Sequence, residues 1–334
     1  MSRRVPLSRA SVVIAELRRQ NSGPEWGQLP HDACSDDAAI DAAMREAVDS
    51  YHAEGWSNDE LSGRWQSLSP SDLVMAARWA ASPQVFDFDA DLAAELAGTE
   101  AGSLPAAAVE LPYPIQYVRC HHLGCYDGFL AWTDRDFDTG EKVLSLVLLE
   151  RKSCARLRML VPLRGTIGDM LAHGMQAGTE ARVTVTYAEV PRYAGPDDAG
   201  RSGMLLQLLH DMLSMLLYIC SDNPDMETAY HPPKASRGSR PGPRTNPETI
   251  HDVGARIGRE LGAARRAQER GEHATTGRTM PPHVRAAHFT HYWVGPRKGR
   301  TDGRPGDRCI VHWIPPIAIH GGGGEEVVHR VRRH

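Results

Sequence analysis

Four histidines, His283, His288, His291 and His312, fall in one stretch from Arg278 to Ile317 that also holds Phe289, Tyr292, Trp293, Trp313 and a run of arginines. Imidazoles titrate near neutral pH. A pair of them beside guanidinium groups could act as acid and base in metal-independent cleavage of a phosphodiester, the arginines stabilising transition-state charge. That chemistry would require His288, His291 and His312 to meet Arg285 around one pocket. The same residue types also suit a surface that binds without reacting, in which cations hold phosphates and aromatic rings stack on bases. Its candidate contacts are Arg285, His291, Tyr292, Arg297, Lys298, Arg300 and Arg304, with no catalytic residue among them. A solvated hairpin whose aromatic rings face a core is the plainer account of this composition.

Metal chemistry fits less well. Cys120, His121, His122 and Cys125 in CHHLGC resemble half of a zinc site, but structural zinc takes four ligands and no second Cys/His pair of suitable spacing lies nearby. The pairs His288/His291 and Cys309/His312 are each three residues apart, and on a strand such residues point to opposite faces. No metal and no cofactor are therefore expected. Asp134, Asp136 and Asp138 sit in a turn-like segment where aspartate is common without catalysis. The chain has no phosphate-binding GxxxxGK[ST] loop, no GxSxG elbow, no HExxH and no GxGxxG after a strand. An enzyme is possible from these residues but unsupported.

The elements that would position the histidines are legible. HFTHYWV (288–294) and RCIVHW (308–313) read as two strands, the second ended by Pro315 and Pro316. Between them Gly295 to Asp307 is Gly, Pro and charge, a solvated loop that carries Arg297, Lys298, Arg300 and Arg304. Ahead of this hairpin, PETIHDVGARIGRELGAARRAQERGE reads as a basic amphipathic helix, and residues 231–247 as a Pro/Gly/Arg-rich linker. The spacing of Gly254 and Gly258 suits a close contact between helices. The tail, 321–334, opens with four glycines and is expected to be mobile.

The central part changes period. PIQYVRC, GCYDGFLAWTD, KVLSLVLLE and ARVTVTYAEV read as four strands, the second and third joined as an antiparallel hairpin through DRDFDTGEK. KVLSLVLLE is apolar almost throughout, as a strand covered on both faces would be. GMLLQLLHDMLSMLLYIC is apolar nearly all round, so it suits a helix that covers that sheet. It is broken by Gln207, His210 and Asp211, which argues against a membrane span. Residues 1–100 read as a helical region, with a helix over SPSDLVMAARWAA. The expected architecture is α+β: acidic N-terminal helices, a mainly antiparallel central sheet with its covering helix (106–230), and a basic helix-plus-hairpin module (248–320).

Charge divides along the same lines. The chain of 334 residues carries a formal −4, yet residues 231–334 hold 19 Lys+Arg against 9 Asp+Glu, whereas residues 1–230 hold 19 against 33. Such asymmetry suggests an anionic or peptide partner for the basic part, or a charge-complementary contact between the two parts. Six cysteines with no CxxC pair, and an N-terminal apolar run too interrupted for a signal segment, are expected of free thiols in the cytoplasm.

The segments LLYICSDN (216–223), HDVGARIGREL (251–261), PPHVRAAHFTHYWVGPR (281–297) and IVHWIPPI (310–317) resemble the recurring blocks of a family carried by bacterial mobile elements. That family includes a type V-A anti-CRISPR protein, an inhibitor of the Cas12-type effector nuclease. The resemblance implies a non-catalytic inhibitor that recognises the nascent effector polypeptide and promotes loss of its mRNA, with the ribosome or the mRNA as possible further contacts. A basic aromatic region is compatible with RNA, and a peptide could equally use a sheet edge.

Overall fold

The computed structural model describes residues 7–20, 70–135, 140–152, 156–176, 198–230, 247–269, 283–295 and 307–319, with scattered positions between 42 and 57. At its centre lies a seven-stranded mixed sheet: β1 Gln84–Phe88, β2 Gln116–Arg119, β3 Tyr126–Arg135, β4 Lys142–Glu150, β5 Arg156–Pro162, β6 Met226–Tyr230 and β7 Thr249–Val253. The spatial order is β5-β4-β3-β2-β1-β7-β6. β1 runs parallel to both of its neighbours, β2 and β7; the other pairs are antiparallel. The architecture is α+β with a mainly antiparallel central sheet.

Each face of the sheet carries its own core because alternate residues point to opposite sides. On β4, Leu144, Leu146 and Leu148 join one core while Val147 and Leu149 join the other. Complete burial of such a side chain contributes about 1.5–3 kcal/mol. One face is covered by α1 (Arg9–Gln20) and α2 (Pro70–Ala81), through Val13, Leu17, Met75 and Trp79. Ser8 leads into α1, and its backbone N–H donates to Glu248 Oε2 at 3.0 Å, fastening that helix beside the start of β7. The indole of Trp79 donates to Ser11 Oγ at 2.9 Å, tying α2 to α1. At the first turn of α2 the buried Asp72 accepts from Arg156 at 3.1 Å and pairs with Arg158 at 3.5 Å, which fixes α2 to β5.

The other face is covered by α3 (Ala90–Ala97), α4 (Ile167–Gln176) and α5 (Asp198–Ile219). α5 is the apolar helix expected over the sheet, and Leu209, Leu213, Leu216 and Leu217 are all buried. No helix among the described residues is long and apolar enough to cross a membrane.

Two local expectations change, and one strand was not anticipated. Thr249–Val253, taken above as helix, is strand β7, and the helix α6 begins at Ala255. The reversal falls at Gly254, whose φ of 79° is costly for other residues, and Asp225 Oδ2 accepts from the N–H groups of Arg256 and Ile257 at 3.0 and 2.9 Å. QVFDF, within the region read as helical, is the interior strand β1 of the sheet; five residues between two helices are too short a run to announce themselves. RLRMLVP forms β5, its arginines masking the period. The strand expected in ARVTVTYAEV, the linker over 231–246 and the tail from 321 lie outside the described residues.

Candidate partner-binding hairpin

β9 (His288–Val294) and β10 (Arg308–Ile314) form the expected antiparallel hairpin, in register from His288 opposite Ile314 to Val294 opposite Arg308. It is a two-stranded sheet of its own and does not extend the central one. A shorter pair continues it, β8 (His283–Arg285) against β11 (Ile317–Ile319). Pro315 and Pro316 interrupt the ladder between the pairs because they have no N–H to donate.

The register sorts the side chains. Phe289, His291 and Trp293 share a face with Cys309, Val311 and Trp313. This face looks inward: Phe289 and Val311 are buried in the main core, with Cys309 and Trp313 packed against it. Trp313 meets Tyr218 of α5 edge-on, with ring centroids 5.3 Å apart. Burial pushes the Cys309 thiol up to about 11 and the Tyr218 phenol up to about 12, so neither ionises near neutrality.

His288, Thr290, Tyr292 and Val294 share the outer face with Arg308, Ile310, His312 and Ile314. Tyr292 is 43% and Val294 42% exposed, an unusual pair of large side chains side by side on a strand. His312 stacks on Tyr292 at 5.1 Å and its Nδ1 lies 2.6 Å from Asp222 Oδ1. The Asp222 backbone N–H in turn donates to the Val311 carbonyl at 3.0 Å, so one residue at the end of α5 holds the hairpin by side chain and main chain. Partial burial, helped by the Asp222 carboxylate, raises the Tyr292 hydroxyl above its ordinary value.

The three histidines do not converge. His288 and His312 lie on the outer face and His291 on the inner one. Arg285 pairs with Ile317 in β8, and its side chain lies outside the described residues, as do Arg297, Lys298, Arg300 and Arg304 altogether. Where the inner face meets the sheet, a cleft of about 510 Å³ is lined by Trp293, Val109, Glu110, Lys142, Leu163 and Arg164. Lys142 and Arg164 thus add cations beside the aromatic hairpin from a distant part of the chain. Sequence reasoning missed them, and also Asp222, which reads as a plain helix stop.

CHHLGC forms a turn after β2. Cys120 is buried, desolvation pushes its thiol up to about 11, and its sulfur accepts from the His122 N–H at 3.4 Å. His121 and His122 are exposed. Among the described residues no group of three or more His, Cys, Asp or Glu is arranged to hold a metal ion.

Residues 86–321 match a family model described as AcrVA2-like, the anti-CRISPR type V subtype A2 family. The span runs from within β1 through the α3–α5 layer to the end of the hairpin, and leaves out α1 and α2. A crystal structure of AcrVA2 is similar to this chain with a TM-score of 0.51 at 16% identity, over 94% of this chain and 100% of that one, which is a likeness of fold. No curated protein matches.

Proposed function

We propose, from the premise that this chain belongs to the anti-CRISPR type V subtype A2 family, that it inhibits a type V-A CRISPR effector at the stage of its synthesis. It recognises the nascent effector polypeptide and promotes loss of the mRNA being translated. The observation that carries this is the family match, because it includes the hairpin and not merely the sheet beneath it. The hairpin supports the reading physically. Its outer face offers Tyr292, Val294, Ile310 and Ile314 as apolar contacts. The segment that joins its two strands in sequence includes Arg297, Lys298, Arg300 and Arg304, cations suited to an anionic neighbour such as RNA. Separation of His291 from His288 and His312 across the ribbon favours binding over acid–base cleavage by those groups.

The test is co-expression in bacteria with three versions of an effector gene: native, synonymously recoded, and frame-shifted through the early coding region. The expected result is loss of the native and recoded transcripts and survival of the frame-shifted one. Equal transcript levels with and without the protein would overturn the proposal.

A further inference from the structure

β6 ends the seven-stranded sheet, and among the described residues it pairs with β7 alone. Met226, Glu227, Thr228 and Ala229 are all exposed, so this edge is open on both of its faces. Main-chain donors and acceptors on such an edge are a template for another strand.

A row of charge crosses the same end of the sheet. Glu227 stands opposite Asp252 on β7, Asp252 opposite Asp87 on β1, and Asp87 opposite Arg119 on β2. Strand alternation puts all four on one face. Arg119 is engaged with Asp87 through two hydrogen bonds. One guanidinium therefore faces three carboxylates, and among the described residues no cation is paired with the two nearest the open edge. Partial desolvation first, then the charges of Asp87 and Glu227, holds the Asp252 carboxyl above its ordinary value, with Arg119 opposing.

We infer, resting on the function proposed above, that the β6 edge receives an extended segment of the partner polypeptide by strand addition, a Lys or Arg of that segment docking onto Glu227 and Asp252. Charge selects this occupant. A second copy paired β6 to β6 would bring two acidic rows together, which is unfavourable. The register shift between Thr228 and Tyr230 further limits self-pairing yet leaves Met226–Thr228 regular. Met226, on the opposite face beside Val253, offers an apolar contact for the neighbouring side chain of the same strand.

The test uses the full chain and fluorescein-labelled TKTKTKT, its glutamate counterpart TETETET, and TKTKTKT N-methylated at alternate residues, followed by anisotropy. The lysine peptide is expected to bind at least roughly tenfold tighter than the glutamate peptide, Glu227→Lys should weaken it by a similar factor, and N-methylation should abolish it. Amide resonances of Met226 to Thr228 should shift on binding. No binding, binding indifferent to N-methylation, or binding unaffected by Glu227→Lys would each overturn the inference. Effector transcript measured in parallel separates the two readings. Transcript loss without peptide binding removes the edge and keeps the co-translational function, whereas rule-obeying peptide binding with unchanged transcript keeps the edge and removes that function.

Discussion

Gly258 of α6 lies directly against the carboxylate of Asp89, so close that a Cβ there would overlap Oδ1 and Cγ. Asp89 is the N-cap of α3, accepting from the N–H groups of Asp91 and Leu92 at 2.9 and 3.2 Å. One turn on, Gly262 meets Asp91 in the same way, and Arg265 then closes the contact with ion pairs to Asp91 at 3.0 Å and Glu95 at 3.2 Å. A glycine track thus lets a cationic helix reach the acidic first turn of another.

Gly258→Ala should therefore destabilise the fold. Alanine is better than glycine inside a helix by about 1 kcal/mol, but here it must displace a capping carboxylate. Overpacking of this kind costs about 1–3 kcal/mol, and loss of the cap about 1 more. A lowered melting temperature is expected; an unchanged or raised one would mean that α3 and α6 can slide apart without cost.

Asp252 gives a prediction with a definite sign. Its folded carboxyl sits above the ordinary value. A carboxylate raised in the folded state costs stability once it ionises, so the cost is absent at low pH and appears as pH rises through the ordinary value toward the raised one. Asp252→Asn should then match the parent in acid and melt slightly higher near neutrality. Because the side chain is largely solvated, the gain is small. Thermal melts across acid to neutral pH check this, and a variant less stable only near neutrality would reverse the electrostatic assignment.

How much of this was legible depends on whether a signal is local. β4 and β9 have the same bounds in sequence and structure, and β10 differs by one residue, because each is an uninterrupted run of strand-forming residues with a clear stop. α5 was legible because it is long and apolar nearly all round. β1 was not, since its five residues become central only through parallel pairing with β2 and β7, segments far along the chain. Gly258 makes the close helix contact expected of it, although Gly254 stands at the reversal before the helix rather than within it, and nothing local names Asp89 as what Gly258 meets. Of the site, the hairpin and its alternation were readable. Asp222, Lys142 and Arg164 were not, since tertiary packing alone brings them there.

The two faces of the hairpin should respond differently to truncation. Phe289→Ala removes a ring from the main core and should cost about 3–5 kcal/mol. Tyr292→Ala removes an outward ring that touches His312, and should change stability by roughly 0.5 kcal/mol or less. If the outer face contacts the partner, Tyr292→Ala nonetheless abolishes effector transcript loss. Comparable unfolding by both variants would mark the outer face as structural.

The loop between β9 and β10 supplies the sharpest separation of binding from folding. Arg297 and Lys298 follow Gly295 and Pro296, a segment with no apolar side chain to bury. Reversal of both charges should leave the melting temperature within the small range usual for surface substitutions. It should, however, weaken capture of ribosome-bound nascent chains or their mRNA, and that loss should shrink as salt rises, since screening already weakens the parent. Co-purification from bacteria with sequencing of bound RNA measures both effects. Equal loss of stability and capture would show that these cations hold the hairpin together, and capture unaffected at any salt would move the contact to the outer face of β9 and β10 or to the acidic edge at β6.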